Sequence, residues 1–443
     1  MEKKNAYSKP VTLKNILKFA IPTIAMSVFM AFYTMVDGLF VSNLIGTGAL
    51  SAINLTAPAI QLVIAVSTML ATGGSAVVMK KMGEQKQEEA REDFTFLILV
   101  NILAGLVMCT LGYSLMEPVF KGMGLSIEVA GYCTSYLSRY LLFTVPILLM
   151  NNFTLYMIAS EKASLSLICS VAGGVLNMVL DYVFIALFDM GIGGAAVATG
   201  LGYSVTAVTG LFVFARKKSL LHFTKPVFRF RMIANAASNG CSEMATALVT
   251  GLITMMFNWT MLRYVGEDGV AAVTIMMYVL TFASSLYSGY AYGVAPMASY
   301  YYGEKNCAKL KKLISTSLKI ISMISIVTAA ASFVATKALV SIFTRPDHPV
   351  YGLAVTGNRI CVLALLFVGF NIFASGMFTA LSNGLVSAVL AFSRSFVFML
   401  IAMLVLPAVL GVNGVWLATP AAEFLAFVLS AFMFIKYRKR YQY

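Results

Sequence analysis

Charge is scarce in this chain of 443 residues: Asp, Glu, Lys and Arg make up 11% of it, where a soluble domain carries roughly 25%. That deficit excludes an ordinary soluble protein. Histidine is almost missing, with only His222 and His348, both expected in loops, so an intramembrane hydrolase or metalloenzyme lacks its usual groups. The six cysteines form no Cys-x-x-Cys pair and have no histidine partner, so they read as small packing residues rather than a disulfide framework or metal site. No Gly-x-x-x-x-Gly-Lys-Ser/Thr loop is present, which excludes direct drive by ATP. A Thr-Val-Gly-Tyr-Gly filter and a ladder of regularly spaced arginines are also missing, so a channel or voltage sensor has no support. Catalysis is not expected, no cofactor is called for, and the remaining energy source is an ion gradient.

What the chain has is apolar length. Hydrophobic residues reach 60% and the mean hydropathy is +0.85. Uncharged runs of about 20 residues recur, each long enough to cross a hydrocarbon core. Such runs satisfy their backbone as helices, and a β-barrel is excluded. The expected fold is all-α and polytopic, with spans near 16–40, 51–79, 94–116, 129–159, 164–188, 192–215, 234–262, 269–301, 313–343, 351–381, 384–408 and 412–436. The stretch after the basic start is too long for a cleaved signal and reads as the first retained helix. The net charge of +14 reports topology rather than nucleic acid, because 24 of the 32 basic residues fall on one side of the spans and six on the other. By the positive-inside rule both termini face the cytoplasm, in the plasma or inner membrane.

Four landmarks recur along the chain at one constant offset, that of Gly46 to Gly266. Gly46–Ala52 answers Gly266–Ala272, Gly83-Glu84 answers Gly303-Glu304, Asn151 answers Asn371, and Gly194–Thr199 answers Gly414–Thr419. The division expected is therefore a first six-helix half at 1–215, a basic linker at 216–233 and a second half at 234–443. Six spans return the chain to its starting side, so the halves are parallel repeats, with a central cavity expected between them and alternating access as its use.

Of the acidic residues, Asp37, Asp181, Glu243 and Glu423 are read inside or at the ends of apolar spans, where an unpaired charge costs several kcal/mol. Asn177 and Asp181 share one helix face, and the helical rise places Thr199 of the next span at their depth. Two carboxylates with Asn and Thr oxygens can hold a proton near neutral pH or coordinate a hard cation such as sodium. At the repeat offset, Asp37, Asn177 and Asp181 become Phe257, Val397 and Ile401, so the scaffold itself does not need the acids. Pro22 removes a backbone donor inside the first span and can kink it as a gating bend. Glu243 is a candidate for substrate or a second ion, whereas Glu423 with Arg394 reads as a structural pair.

Taken together, Val36-Asp37-Gly-Leu-Phe-Val, Asn177-Met-Val-Leu-Asp181-Tyr-Val-Phe, Gly191–Thr199 and the Gly-Glu-Lys-Asn run from Gly303 make the chain resemble the multidrug and toxic compound extrusion (MATE) family, in its bacterial multidrug branch. The resemblance implies a cation site at Asp37, Asn177, Asp181 and Thr199, joined by Tyr136, and matches Glu243 to an acidic position of some members. It also implies antiport of amphipathic organic cations against protons or sodium, by a monomer among membrane lipids. Ala295-Pro296 departs from the Gln-Pro of many members. The rival within the same superfamily is a flippase of lipid-linked precursors, for which intramembrane basic residues are few.

Overall fold

A computed structural model describes residues 7, 9–45, 47–123, 125, 127–217 and 219–443; the side chains of 37–45, 47–51 and 54 fall outside the described set. Every regular element among the described residues is helical. In the first half these are α1 (Leu13–Ile45), α2 (Thr47–Gly83), α3 (Gln87–Gly122), α4 (Ile127–Leu142), α5 (Thr144–Ala159), α6 (Ala163–Asp181) and α7 (Gly191–Ala215). The second half has α8 (Phe230–Tyr264), α9 (Glu267–Gly303), α10 (Cys307–Ser341), α11 (Pro349–Cys361), α12 (Leu365–Ala380), α13 (Gly384–Phe392), α14 (Phe398–Leu410) and α15 (Val412–Tyr441).

Among the described residues eleven segments are long and apolar enough to span a membrane, and α4 with α5 supplies a twelfth as a bent pair. The fourth span expected at 129–159 is thus not one straight helix. It breaks at Phe143 with a bend of 52°. Pro146 is the cause, because its ring nitrogen cannot donate to the carbonyl of Leu142, four residues back. The matching span of the second half has Leu366 where the first has Pro146, and there the irregularity at Val362–Ala364 is only a tightened turn between α11 and α12. Two further spans carry a wide π-helical turn, Tyr182–Leu187 after α6 and Ser393–Val397 between α13 and α14.

The helices outrun their apolar runs, since α2 continues through Lys80-Lys81 to Gly83 and α3 starts at Gln87. The loop between them is a three-residue closure. The Gln85 amide donates to the Met82 carbonyl (3.2 Å) and the Lys86 amide to the Lys81 carbonyl (3.0 Å). The same closure recurs at the repeat offset, where Lys305 donates to Tyr302 (3.1 Å) and Asn306 to Tyr301 (3.1 Å). In both closures a non-glycine residue sits in the left-handed region, Gln85 at φ 63° and Lys305 at φ 55°. This is the Schellman pattern, which favours glycine at that position. Lys305 is exposed, so Lys305→Gly relieves up to about 1 kcal/mol of backbone strain and is expected to raise the melting temperature in detergent.

Packing divides the chain into two compact units, residues 29–247 and residues 1–28 with 248–443. The boundary falls inside α1 and inside α8. In the second unit, Tyr7 is fully buried and stacks between Phe19 (5.6 Å) and Tyr300 (5.1 Å). There α1 crosses α9 so closely that a Cβ on Gly293 would lie 2.9 Å from the Cα of Ala20, and one on Gly289 would lie 2.6 Å from the Cα of Ile24. The same crossing recurs in the unit of residues 29–247, where Gly73 of α2 meets Gly240 of α8. These two are the repeat counterparts of Gly293 and Ala20. Small residues at such crossings let apolar helices associate by backbone contact.

The linker is docked, not slack. Arg229 donates to Asp93 (2.8 Å) and Glu92 (2.6 Å), and Lys81 pairs with Asp93 from the end of α2. The backbone amide of Thr224 donates to the Thr95 hydroxyl (3.1 Å), and Phe223 stacks on Phe94 (5.4 Å). At the other end Lys162 donates to the Ser219 hydroxyl (3.0 Å), and burial followed by the charge of Arg216 lowers its pKa. Asp93 has no exposed surface, so it is a further buried acid beyond the four read from sequence.

Candidate functional site

Asn177 and Asp181 lie one turn apart on the same face of α6, and both are buried, at 1% and 0% exposure. The Asn177 amide nitrogen donates to the Thr199 hydroxyl of α7 across 3.2 Å. The expected depth match between these two spans is therefore a direct contact. It depends on how closely α6 and α7 approach one turn away: a Cβ on Gly202 would sit 2.7 Å from the Gly173 carbonyl oxygen and 3.1 Å from the Asn177 Cβ. Glycine at both positions brings the backbones together and carries the two polar side chains into reach.

With its nitrogen committed to Thr199, Asn177 turns its carbonyl oxygen the other way, buried and with no hydrogen bond among the described residues. A buried acceptor left without a donor costs about 1–3 kcal/mol. The Asp181 carboxylate occupies the next turn, and the helix immediately past it widens into the π turn Tyr182–Leu187. Such turns concentrate at functional sites. Along the opposite direction of α6 lies a small cavity of about 20 Å³, enough for one water molecule. Met30, Tyr33, Met150, Ser170, Tyr203 and Thr206 line it, four of them with hydroxyls.

Tyr136 of α4 is half-buried, packs against Ile185 of the π turn and Ala195 of α7, and stacks on Tyr140 (6.3 Å). The structure thus sets it beside the segment that joins Asp181 to Thr199. Asp37 lies on α1, but its side chain is outside the described residues. Pro22 lies on α1 as well, half-buried, and the helix runs unbroken through it. Its neighbour Thr23 bonds back to the Ala20 carbonyl (2.9 Å) at the α9 crossing. Glu243 is half-buried on α8, three residues past the Gly240 contact with α2.

The second half holds a separate polar cluster. Arg394, in the π turn between α13 and α14, donates through Nε to the Glu423 carboxylate of α15 at 2.8 and 3.0 Å. The pair expected from sequence is present, and it is larger than a pair. Asn371 of α12 donates to the Glu423 carboxylate (2.7 Å) and carbonyl (2.9 Å), and Ser430 donates to Asn371 (3.1 Å). Sequence reasoning used Asn371 only as a marker of the repeat; the two missed members were signalled by Asn371 and Ser430 being polar within apolar spans.

The chain matches the MatE family model twice, at residues 22–183 and 244–405, once in each half. It is 22% identical over 412 residues to the multidrug export protein MepA of Staphylococcus saprophyticus, covering 93% of this chain and 89% of that protein. The MepA of Staphylococcus haemolyticus is likewise 22% identical, over 96% of this chain and 94% of its own length. Among solved structures, a crystal structure of a MATE protein in complex with MaL6 superposes with a TM-score of 0.92 at 23% identity over 99% of both chains. An outward-facing multidrug resistance MATE transporter superposes with a TM-score of 0.89 at 24% identity, over 96% of this chain and 95% of that one. With the repeat, the twelve spans and the doubled family match agreeing, the chain belongs to the MatE family, the multidrug and toxic compound extrusion transporters.

Proposed function

We propose that the protein is a secondary antiporter of the plasma membrane that exports amphipathic organic cations in exchange for an inward-moving proton or sodium ion. The observation that carries this reading is the buried Asn177 carbonyl oxygen, which accepts no hydrogen bond among the described residues and stands one turn from the buried carboxylate of Asp181. The Asn177 oxygen, an acceptor with no donor among the described residues, suits a cation: sodium would take Asn177, Asp181, Thr199 and Asp37 as ligands, and protonation would make Asp181 a donor. Tyr136 would close the site from the α4 side. Glu243, on another helix, is the candidate for substrate or a second ion.

Alternating access then follows from charge. The empty site holds buried negative charge, which disfavours the closed arrangement, and a bound cation removes that penalty. Differential affinity of the ion for the two arrangements is what moves the equilibrium. Both termini face the cytoplasm on this reading, and the transporter works as a monomer, with Pro22 as the point at which α1 would bend during the cycle. Organic cations suit the cargo side because curated relatives of similar length are multidrug export proteins, and Met and aromatic side chains offer adaptable, cation-attracting surface.

The test is efflux of a fluorescent organic cation from inverted vesicles under an imposed proton or sodium gradient. Transport driven by one gradient and abolished by its collapse supports antiport and names the ion. Transport indifferent to both gradients overturns it.

A further inference from the structure

The Arg394 guanidinium engages Glu423 through its Nε alone. Its two terminal nitrogens, four N–H donors in one plane, have no hydrogen-bond partner among the described residues, although the side chain is only 20% exposed. The residue sits near the middle of the span Gly384–Leu410, where an unsatisfied arginine is costly. Its seat is a π turn, and its partner Glu423 is held in place by Asn371, itself held by Ser430. A side chain oriented from behind through one nitrogen, with its fork left open, is arranged for a planar oxyanion, which a guanidinium grips at two points.

The repeat sharpens the contrast. At the repeat offset, Arg394 corresponds to Gly174 and Glu423 to Tyr203, whereas Asn177 and Asp181 correspond to Val397 and Ile401. Each half therefore has its own charged group at a π turn of its fifth span, a carboxylate in the first and a guanidinium in the second. At these positions the two halves place different groups on one repeated scaffold.

We infer that the Arg394–Glu423–Asn371 cluster is a binding subsite for the carboxylate, or an equivalent oxyanion, of an amphipathic solute, with the Arg394 terminal nitrogens as the donors. The inference deepens the export reading by adding zwitterionic and anionic amphiphiles to its cargo. It rests on that reading for its physiological use, and binding rather than transport tests it, so the two fail separately.

The probes are dansylglycine and dansylamide, which share an aromatic body and differ in the carboxylate. Equilibrium binding to the purified full chain in neutral detergent is expected to favour dansylglycine by about tenfold, the worth of one charge-assisted contact. Arg394→Gln is expected to erase that preference with dansylamide affinity unchanged, and Arg394→Lys to keep part of it. Glu423→Gln, which removes the neutralising charge and keeps the shape, is expected to increase the preference, a gain that misfolding cannot produce. Repeating the titration with phosphatidylglycerol separates the sources: displacement by the lipid assigns the site to a headgroup phosphate, and persistence assigns it to a soluble carboxylate. Equal affinity for the two probes, no binding of either, or a preference that survives Arg394→Gln and is unmoved by Glu423→Gln overturns the inference.

Discussion

Asp181→Asn is expected to lower gradient-driven efflux by about 100-fold or more, with binding of the organic cation to the purified protein retained. The carboxylate is wholly buried, and removing one member of a desolvated charged contact costs about 2–5 kcal/mol, a factor of thirty to several thousand in ion affinity. Asparagine matches the shape of aspartate and keeps an acceptor, so packing on α6 survives and only the charge is lost. The second half tolerates Ile401 at the matching position, which argues that the scaffold folds without the acid. Asp37→Asn carries the same expectation. The measurement is vesicle efflux beside a melting curve in detergent. Wild-type efflux in both variants would remove this site from ion coupling and turn attention to Glu243.

The second large effect concerns stability. Asp93→Ala is expected to destabilise the unit of residues 29–247 by about 3–5 kcal/mol, because it leaves Lys81 and Arg229 facing each other with their shared buried partner gone. Arg229 retains Glu92 (2.6 Å), which is itself partly exposed, so the lower end of that range is the better figure. The loss should appear as a lower melting temperature together with faster trypsin cleavage within 216–231, since the docked linker loses its anchor. A melting curve equal to wild type would mean that the aromatic packing of Phe223 on Phe94 holds the segment by itself.

The parts of this architecture legible in the sequence are those that depend on composition and local periodicity. Apolar runs set the spans, and the landmarks recurring at one offset set the repeat, which the structure extends to the loop closures at Gln85 and Lys305. The meeting of Asn177 and Thr199 was legible too, because the rise of a helix converts residue number into depth. Asp93 was not, since it stands in the run Glu88–Asp93, which reads as a solvated loop. Helix α3 starts before that run and turns Ala90, Asp93, Phe94 and Leu97 onto one buried face. The π turns beside Asp181 and at Arg394 have no compositional signal. The bend at Phe143 had one in Pro146, but its size depends on what packs around it.

Neither compact unit coincides with a repeat. Residues 1–28 begin the first repeat yet pack with residues 248–443, and the opening stretch of α8 begins the second repeat yet packs within 29–247. This is the pattern of a swapped dimer written into one polypeptide, in which each copy lends the start of its first helix to the other. Cutting at the linker would leave two fragments, each holding a piece that the other's core requires.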